Sequence, residues 1–230
     1  MEAEFWGIFN QDAFIGYAVL TYNENKAHIR RIAIHPDFRS RGLATKLMNA
    51  MLDHASTCGV YLIDLLVQQD NLPALQLYRK YDFQVTGESL QFSVAITDRT
   101  IPGYAAIPVD EYQHGRQYAP HEKRILAWAE QHVPPHKLVL VYLKENQPIG
   151  FARFSPDFPG CAPFELFTEN AVGDVHDLVA LLGRYALPDK PIIKITTENE
   201  NAITLFKAAG TQENYSLYKM TKRWSKCSYD

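Results

Sequence analysis

Two segments of this chain occur twice, in the same order. Ile15-Gly16-Tyr17-Ala18 is answered by Ile149-Gly150-Phe151-Ala152, each behind an Asn-Gln pair, Asn10-Gln11 and Asn146-Gln147. Asn71-x-x-Ala74-x-x-Leu77-Tyr78 is answered by Asn199-x-x-Ala202-x-x-Leu205-Phe206, and a helical pattern followed by an apolar run separates the two matches in both halves. Agreement in register over a whole unit means tandem copies of one supersecondary arrangement, so any fold read for the first half must also suit the second.

In the first copy, Phe5 to Phe9 and Phe14 to Tyr22 are aromatic and β-branched runs around Asn10-Gln11-Asp12, the chemistry of a hairpin turn. Trp6, Tyr17 and Tyr22 read as sheet core. A third strand follows from Ala27 to Ile34. Leu43, Ala44, Leu47, Met48, Met51, Leu52 and Ala55 then recur at the spacing of one buried helix face, and Gly59 after Cys58 suits a left-handed cap. Tyr61 to Val67 is apolar apart from Asp64, as expected of a strand buried on both faces. A second helix, Leu72 to Tyr81, carries Pro73 in its first turn, where a missing N–H costs nothing. Phe83 to Ile96 reads as two strands broken at Gly87-Glu88. In the second copy Val175 to Tyr185 is helical and Pro191 to Thr197 is a strand. The order defines an α/β (α+β) fold of two tandem domains, each a mixed, mainly antiparallel sheet flanked by helices. Boundaries are expected at 1–97, at a linker and helix over 98–136 (helical from Glu122 to Val133, stopped by Pro134-Pro135), and at 137–230.

The third strand empties into Ile32-Ala33-Ile34-His35-Pro36-Asp37-Phe38-Arg39-Ser40-Arg41-Gly42-Leu43-Ala44. A strand entering a helix through such a turn is built to hold an anion. The free N–H groups and positive dipole end of the helix face outward, Gly42 admits a phosphate to the backbone, and Arg39 and Arg41 add charge. Arg39-Ser40-Arg41-Gly42-Leu43-Ala44 resembles the Arg/Gln-x-x-Gly-x-Gly/Ala signature of the GNAT superfamily, the acetyl-CoA-dependent N-acetyltransferases. Asn71-x-x-Ala74-x-x-Leu77-Tyr78 resembles that family's second motif. The likeness covers residues 5 to 96 well and 137 to 224 more weakly.

The resemblance implies an acyltransferase that moves an acetyl group from acetyl-CoA to a primary amine by direct attack, with no metal and no enzyme nucleophile. It implies that the pantetheine arm lies along Ile32, Ala33 and Ile34, and that the pyrophosphate rests on Arg39, Ser40, Arg41, Gly42, Leu43 and Ala44. Asn71 would contact the arm, and Tyr78 would be general acid for the departing thiolate, its phenol near pKa 10 suiting that role. Three features depart from the family pattern. Arg30 or Arg31 stands where relatives carry a glutamate base; His28, His35 and Asp64 are substitutes, and no base is assigned. Asp82 replaces a glycine. The strand and helices that usually precede the first hairpin are missing, so the acceptor wall is expected from residues 98–136 or from the second domain.

The second copy is expected to be degenerate. Glu169-Asn170-Ala171-Val172-Gly173-Asp174 has two carboxylates and no arginine, which would repel a pyrophosphate, and Phe206 lacks a hydroxyl. A net charge of −3 and a pI near 6.2 argue against a nucleic-acid binder, and no apolar run suits a transmembrane helix or signal peptide. Cys58, Cys161 and Cys227 are in no disulfide or metal spacing, and the prolines between His132 and His136 prevent the helix that would align them on a metal. A cytoplasmic protein is expected, and the resemblance implies a monomer or homodimer acting on a small-molecule or peptide amine. A non-catalytic acyl-CoA-binding or regulatory module is the main alternative. Aminoacyl transfer from tRNA is a further one, disfavoured by the charge.

Overall fold

The computed structural model describes residues 2–97, 101–113, 123, 127, 137–157, 160–168, 170, 172–187, 189 and 191–224. Of the helix expected at Glu122 to Val133 only Lys123 and Ala127 are described, both helical, and the expectations for His132 and His136, for Glu169 and Ala171 and for Cys227 lie outside the described residues. The chain forms two compact units, Met1–Glu88 with Leu217–Asp230, and Ser89–Ser216. Both are mixed α/β layers, as the sequence pattern predicts.

The first unit contains β1 (Glu2–Asn10), β2 (Ala13–Asn23), β3 (Lys26–Ile34), α1 (Leu43–Thr57), β4 (Leu62–Gln68), α2 (Leu72–Lys80) and the start of β5 (Gln84–Ala95). β1, β2 and β3 pair antiparallel, and β3 pairs parallel with β4. The sheet is completed from the other end of the chain. Leu217–Arg223 of the last strand pairs antiparallel with Leu62–Gln68 of β4, and Met220, opposite Leu65, is fully buried. Alternation puts Ala18, Leu20, Ala27, Ile29, Ile63 and Leu65 in one core with Leu47, Met48 and Met51 of α1 and Leu75 and Tyr78 of α2. β4 is not buried on both faces as its apolar run suggested: it alternates, with Leu66 at 40% exposed, because the face away from the helices is open. Two bulges shift the pattern. One inserts Ile15 and turns Phe14 onto the face of Phe9 and Tyr17; Tyr17 is on that face because it alternates with the core residue Ala18, whereas Trp6 and Tyr22 pack against the core. The other inserts Arg30, between the pairs Leu20–Ile29 and Val19–Arg31.

The second unit runs from the end of β5 through β6 (Tyr104–Pro108), α3 (Val109–Gln113), β7 (Leu138–Lys144), β8 (Gln147–Ser155), β9 (Gly160–Leu166), α4 (Val175–Leu182), β10 (Ile192–Thr197) and α5 (Glu200–Ala208) to the start of β11 (Glu213–Arg223). β6 to β9 pair antiparallel, β9 pairs parallel with β10, and β10 pairs antiparallel with Leu90–Ala95 of β5. Here β6 and α3 precede the hairpin, and Val109 and Tyr112 pack on Val139, Val141, Leu143 and Phe151. The described part of residues 98–136 thus completes the second unit. The expected break at Gly87-Glu88 is no gap in a strand: β5 is continuous, and the passage from one unit to the other falls inside it. The units therefore divide elsewhere than at the sequence boundaries of 97 and 137.

The repeat is visible in backbone detail. Ile8–Gly16–Ile34 in the first sheet corresponds to Tyr142–Gly150–Leu166 in the second, and His35 N–H to Ile15 C=O (2.8 Å) corresponds to Phe167 N–H to Ile149 C=O (3.0 Å). The shared glycine has a steric cause. A Cβ on Gly16 would come within 2.7 Å of Ile34, and one on Gly150 within 2.3 Å of the Glu165 carbonyl. The Asn-Gln pairs, by contrast, are not equivalent, since the turns are centred on Gln11-Asp12 and on Glu145-Asn146.

Candidate active site

The segment after β3 is held by its own side chains. His35 N–H donates to Ile15 C=O, a single 3₁₀ turn covers Pro36–Phe38, and the Arg39 Nε–H donates to the Ile34 carbonyl at 3.1 Å. Arg41 donates to the Asp37 carbonyl at 2.9 Å and lies 5.1 Å from the Phe38 ring centroid. Both guanidiniums are exposed and tethered, so positive charge is kept on this turn with less rotamer entropy to lose on meeting an anion. Ser40 (φ 60°) and Gly42 (φ 75°) are left-handed on either side of Arg41, a conformation that turns successive N–H groups into a concave anion nest. α1 then begins with no capping side chain and no acidic residue in its first turn, and its first backbone bond is Lys46 N–H to Gly42 C=O. The amides of Leu43, Ala44 and Thr45 have no partner within the helix and are offered to a ligand. A cavity of about 400 Å³ borders the turn, with Trp6, Ile8, Phe38, Arg41 and Lys46 among its walls.

Upstream of the turn, β3 has a free edge. Its pairing with β4 covers Lys26–Ile29 against Leu62–Leu65 and, among the described residues, goes no further, while its pairing with β2 continues to Ile34. Arg30 to Ile34 therefore face the β4 side without a ladder; the Ile34 carbonyl is held by Arg39, and the remainder is an edge onto which an extended amide-containing chain can add. Ile32, Ala33 and Ile34 are half-buried there.

Asn71 caps α2, its Oδ1 accepting from Ala74 N–H at 3.2 Å. Tyr78, about two turns further along α2, is 8% exposed with its ring 5.9 Å from that of Phe83. Burial pushes its phenol up to about 12, a weaker acid than the free side chain the sequence reading assumed. Asp82 follows α2 with φ 62°, and the corresponding Gly210 has φ 67°; the glycine is missing but the left-handed backbone it serves is retained. On the face of the sheet away from the helices, His28 Nδ1 and Asp64 Oδ1 are 2.5 Å apart across the β3–β4 ladder.

In the second unit the helix start and the strand edge are both occupied by side chains. Asp174 caps α4, accepting from His176 N–H at 2.9 Å, so that the helix start is both satisfied and negatively charged. The edge of β9 that corresponds to Ile32–Ile34 is taken by side chains. Thr197 donates to the Phe164 carbonyl at 2.6 Å, Asn199 binds both the N–H and the carbonyl of Leu166, and Asn201 donates to the same carbonyl at 3.1 Å. Phe206, at the place of Tyr78, is fully buried and stacks 4.7 Å from Phe92. The loss of charge is legible in the sequence but the filled edge is not, because Thr197 and Asn201 carry no signal until the fold places them against β9.

A strand edge leading into an uncapped, arginine-flanked helix start suits an extended, amide-containing ligand that ends in an anion. Residues 1–83 match the family model described as acetyltransferase (GNAT) family. Mycothiol acetyltransferase of Clavibacter michiganensis subsp. michiganensis is 34% identical over 77 residues, 34% of this chain and 25% of that protein; the chain thus spans about a quarter of that relative's length. The fold likeness extends further. A Pyrococcus horikoshii structure assigned to the acetyltransferases superposes on 94% of this chain and 72% of its own, with TM-score 0.64 at 15% identity. A tandem GNAT protein from the clavulanic acid biosynthesis pathway superposes on 96% of this chain and 83% of its own, with TM-score 0.60 at 13% identity.

Proposed function

We propose that the first unit is an N-acetyltransferase centre that takes acetyl-CoA as co-substrate and acetylates a primary amine, and that the second unit binds no coenzyme. The observation that carries this reading is the continuity of a free strand edge, Arg30 to Ile34, with a helix start whose amides and two tethered arginines await an anion. Ile32, Ala33 and Ile34 would pair with the amides of the pantetheine arm. The pyrophosphate would sit on the backbone from Arg39 to Ala44, with Gly42 admitting it closely. Asn71, whose oxygen is engaged in the cap, has its amide N–H groups for the arm.

The acyl donor is an activated thioester, so an amine can attack its carbonyl without an enzyme nucleophile. Tyr78 is the group assigned to donate a hydrogen bond and then a proton to the sulfur. With its phenol held near 12 it stays protonated throughout the neutral range and acts chiefly by stabilising negative charge as it develops. That same high value favours the alternative of a binding module that has lost catalysis, and one variant separates them. In Tyr78→Phe, thiol release from acetyl-CoA in the presence of an amine panel falls about 100-fold or more if the unit is an enzyme. Calorimetric affinity for CoA stays within a factor of about two. Binding by the wild type without any thiol release would establish the module instead.

A further inference from the structure

We propose that His28, oriented by Asp64, is the proton acceptor for the attacking amine, an inference that rests on the reading of the first unit as the acetyl-CoA site. The two residues are Cα partners across the parallel β3–β4 ladder, one step before its last pair, Ile29–Leu65. Both alternate with buried core positions, so they share the open face of the sheet, where their side chains are 42% and 32% exposed. A carboxylate only accepts, so the 2.5 Å contact from Asp64 fixes the hydrogen of His28 on Nδ1 and leaves Nε2 as the basic nitrogen. Among the described residues nothing bonds that Nε2.

Position along the strand selects this pair. If the pyrophosphate is held at Arg39 to Ala44, the arm runs back along the free edge, and its reactive end arrives where β3 and β4 close together. From Ile34 back to Ile29 is five residues, about 17 Å of extended chain. The acetyl group is thereby delivered to the closure point, next to His28. The other histidines of the unit are elsewhere or occupied. His35 lies at the opposite, phosphate end of the edge, and His54 Nε2 is bonded to Glu4 at 2.9 Å.

As the amine nitrogen forms its bond to the thioester carbonyl carbon, His28 Nε2 takes the proton that nitrogen loses. The C–S bond breaks and the sulfur receives a proton from the Tyr78 hydroxyl. His28 then returns its proton to solvent and Tyr78 recovers one, leaving amide and free thiol. Asp64 stabilises the imidazolium formed on the way. The charged groups that share this face are Lys26 and Arg31 on β3 and Lys219 and Arg223 on β11, by the strand register. All are cationic, so Asp64 is the group that offsets them at His28.

The test uses the full chain, acetyl-CoA, and a panel of spermidine, tyramine, lysine amide and an alanine-terminated peptide. His28→Gln should lower kcat/KM for the best acceptor about 100-fold or more. It should leave CoA affinity unchanged by calorimetry, and the fall of kcat/KM toward acid that the assignment predicts for the wild type should be absent from it. Asp64→Asn should lower kcat/KM by about tenfold while binding CoA normally. Unchanged kcat/KM, or an unchanged acid limb, in His28→Gln overturns the assignment. A readout without turnover covers the case in which no panel amine reacts. The imidazole nitrogen resonances of His28 should show an Nδ1–H tautomer that Asp64→Asn disturbs, and saturating acetyl-CoA should shift them. Resonances that acetyl-CoA leaves in place refute the inference even if CoA binds, whereas failure of CoA to bind the wild type refutes the underlying site.

Discussion

Met220→Ala removes a side chain that belongs to the second sequence repeat but is buried in the core of the first unit. Met220 has no exposed surface, lies opposite Leu65 in the β4–β11 ladder, and shares a core cluster with Ile29, Ile63, Leu65 and Phe83. Truncating a buried methionine costs about 2–5 kcal/mol. Since 1.4 kcal/mol is a factor of ten, opening of the neighbouring strands should become about 30-fold more frequent even at the lower figure. Native-state hydrogen exchange read by mass spectrometry resolves the effect along the chain. Exchange should accelerate in residues 26–34 and 62–68 and stay unchanged in 138–155. The fully buried Leu178 of α4 supplies the converse, with Leu178→Ala accelerating 138–155. Acceleration confined to 138–155 in Met220→Ala would refute the assignment of the last strand to the first unit.

Four further outcomes follow from the geometry. Gly42→Ala places a Cβ at φ 75° in otherwise open space, so it should cost about 1 kcal/mol of stability by denaturant titration and, by crowding the phosphate, weaken CoA binding more than that. Asp82→Gly relieves a left-handed aspartate and gives up only a surface contact to Lys222 at 3.6 Å, so stability should rise by about 0.5–1 kcal/mol. Asp174→Ala should cost α4 about 0.5–2 kcal/mol as a lost N-cap and still create no second coenzyme site, because Thr197, Asn199 and Asn201 continue to fill the edge. Tyr78 is raised from 10.0 to about 12 by burial, so the stability it contributes is complete below pH 10 and lost as pH climbs from there towards 12. Tyr78→Phe should flatten that alkaline loss relative to the wild type in thermal melts.

Periodicity and turn chemistry were enough to read the hairpin, the two helices and the tandem repeat. These signals are local, and the core face of α1 follows them from Leu47 to Ala55, with Leu43 and Ala44 part-buried at its start. The arginine-glycine turn was legible for the same reason, since its chemistry lies in six consecutive residues. What could not be read is long-range. Nothing in Gln84–Ala95 or Glu213–Arg223 says that each strand divides between the two units, because both carry ordinary alternation that any sheet edge could accept. The openness of β4 toward one face, the bulges at Ile15 and Arg30, and the His28–Asp64 contact likewise depend on register, which a sequence fixes only through its neighbours in the sheet. Missing charge is the sequence's reason for proposing a second unit without coenzyme, and the filled strand edge at Leu166 is the stronger physical support for that proposal.

The account turns on a single coenzyme site, and titration of the full chain with CoA measures it most directly. One molecule should bind per chain, amide exchange should slow at 39–45 and stay unchanged at 172–177, and Arg41→Glu should weaken binding about tenfold or more. Two molecules per chain, protection at 172–177, or binding indifferent to Arg41→Glu would contradict it.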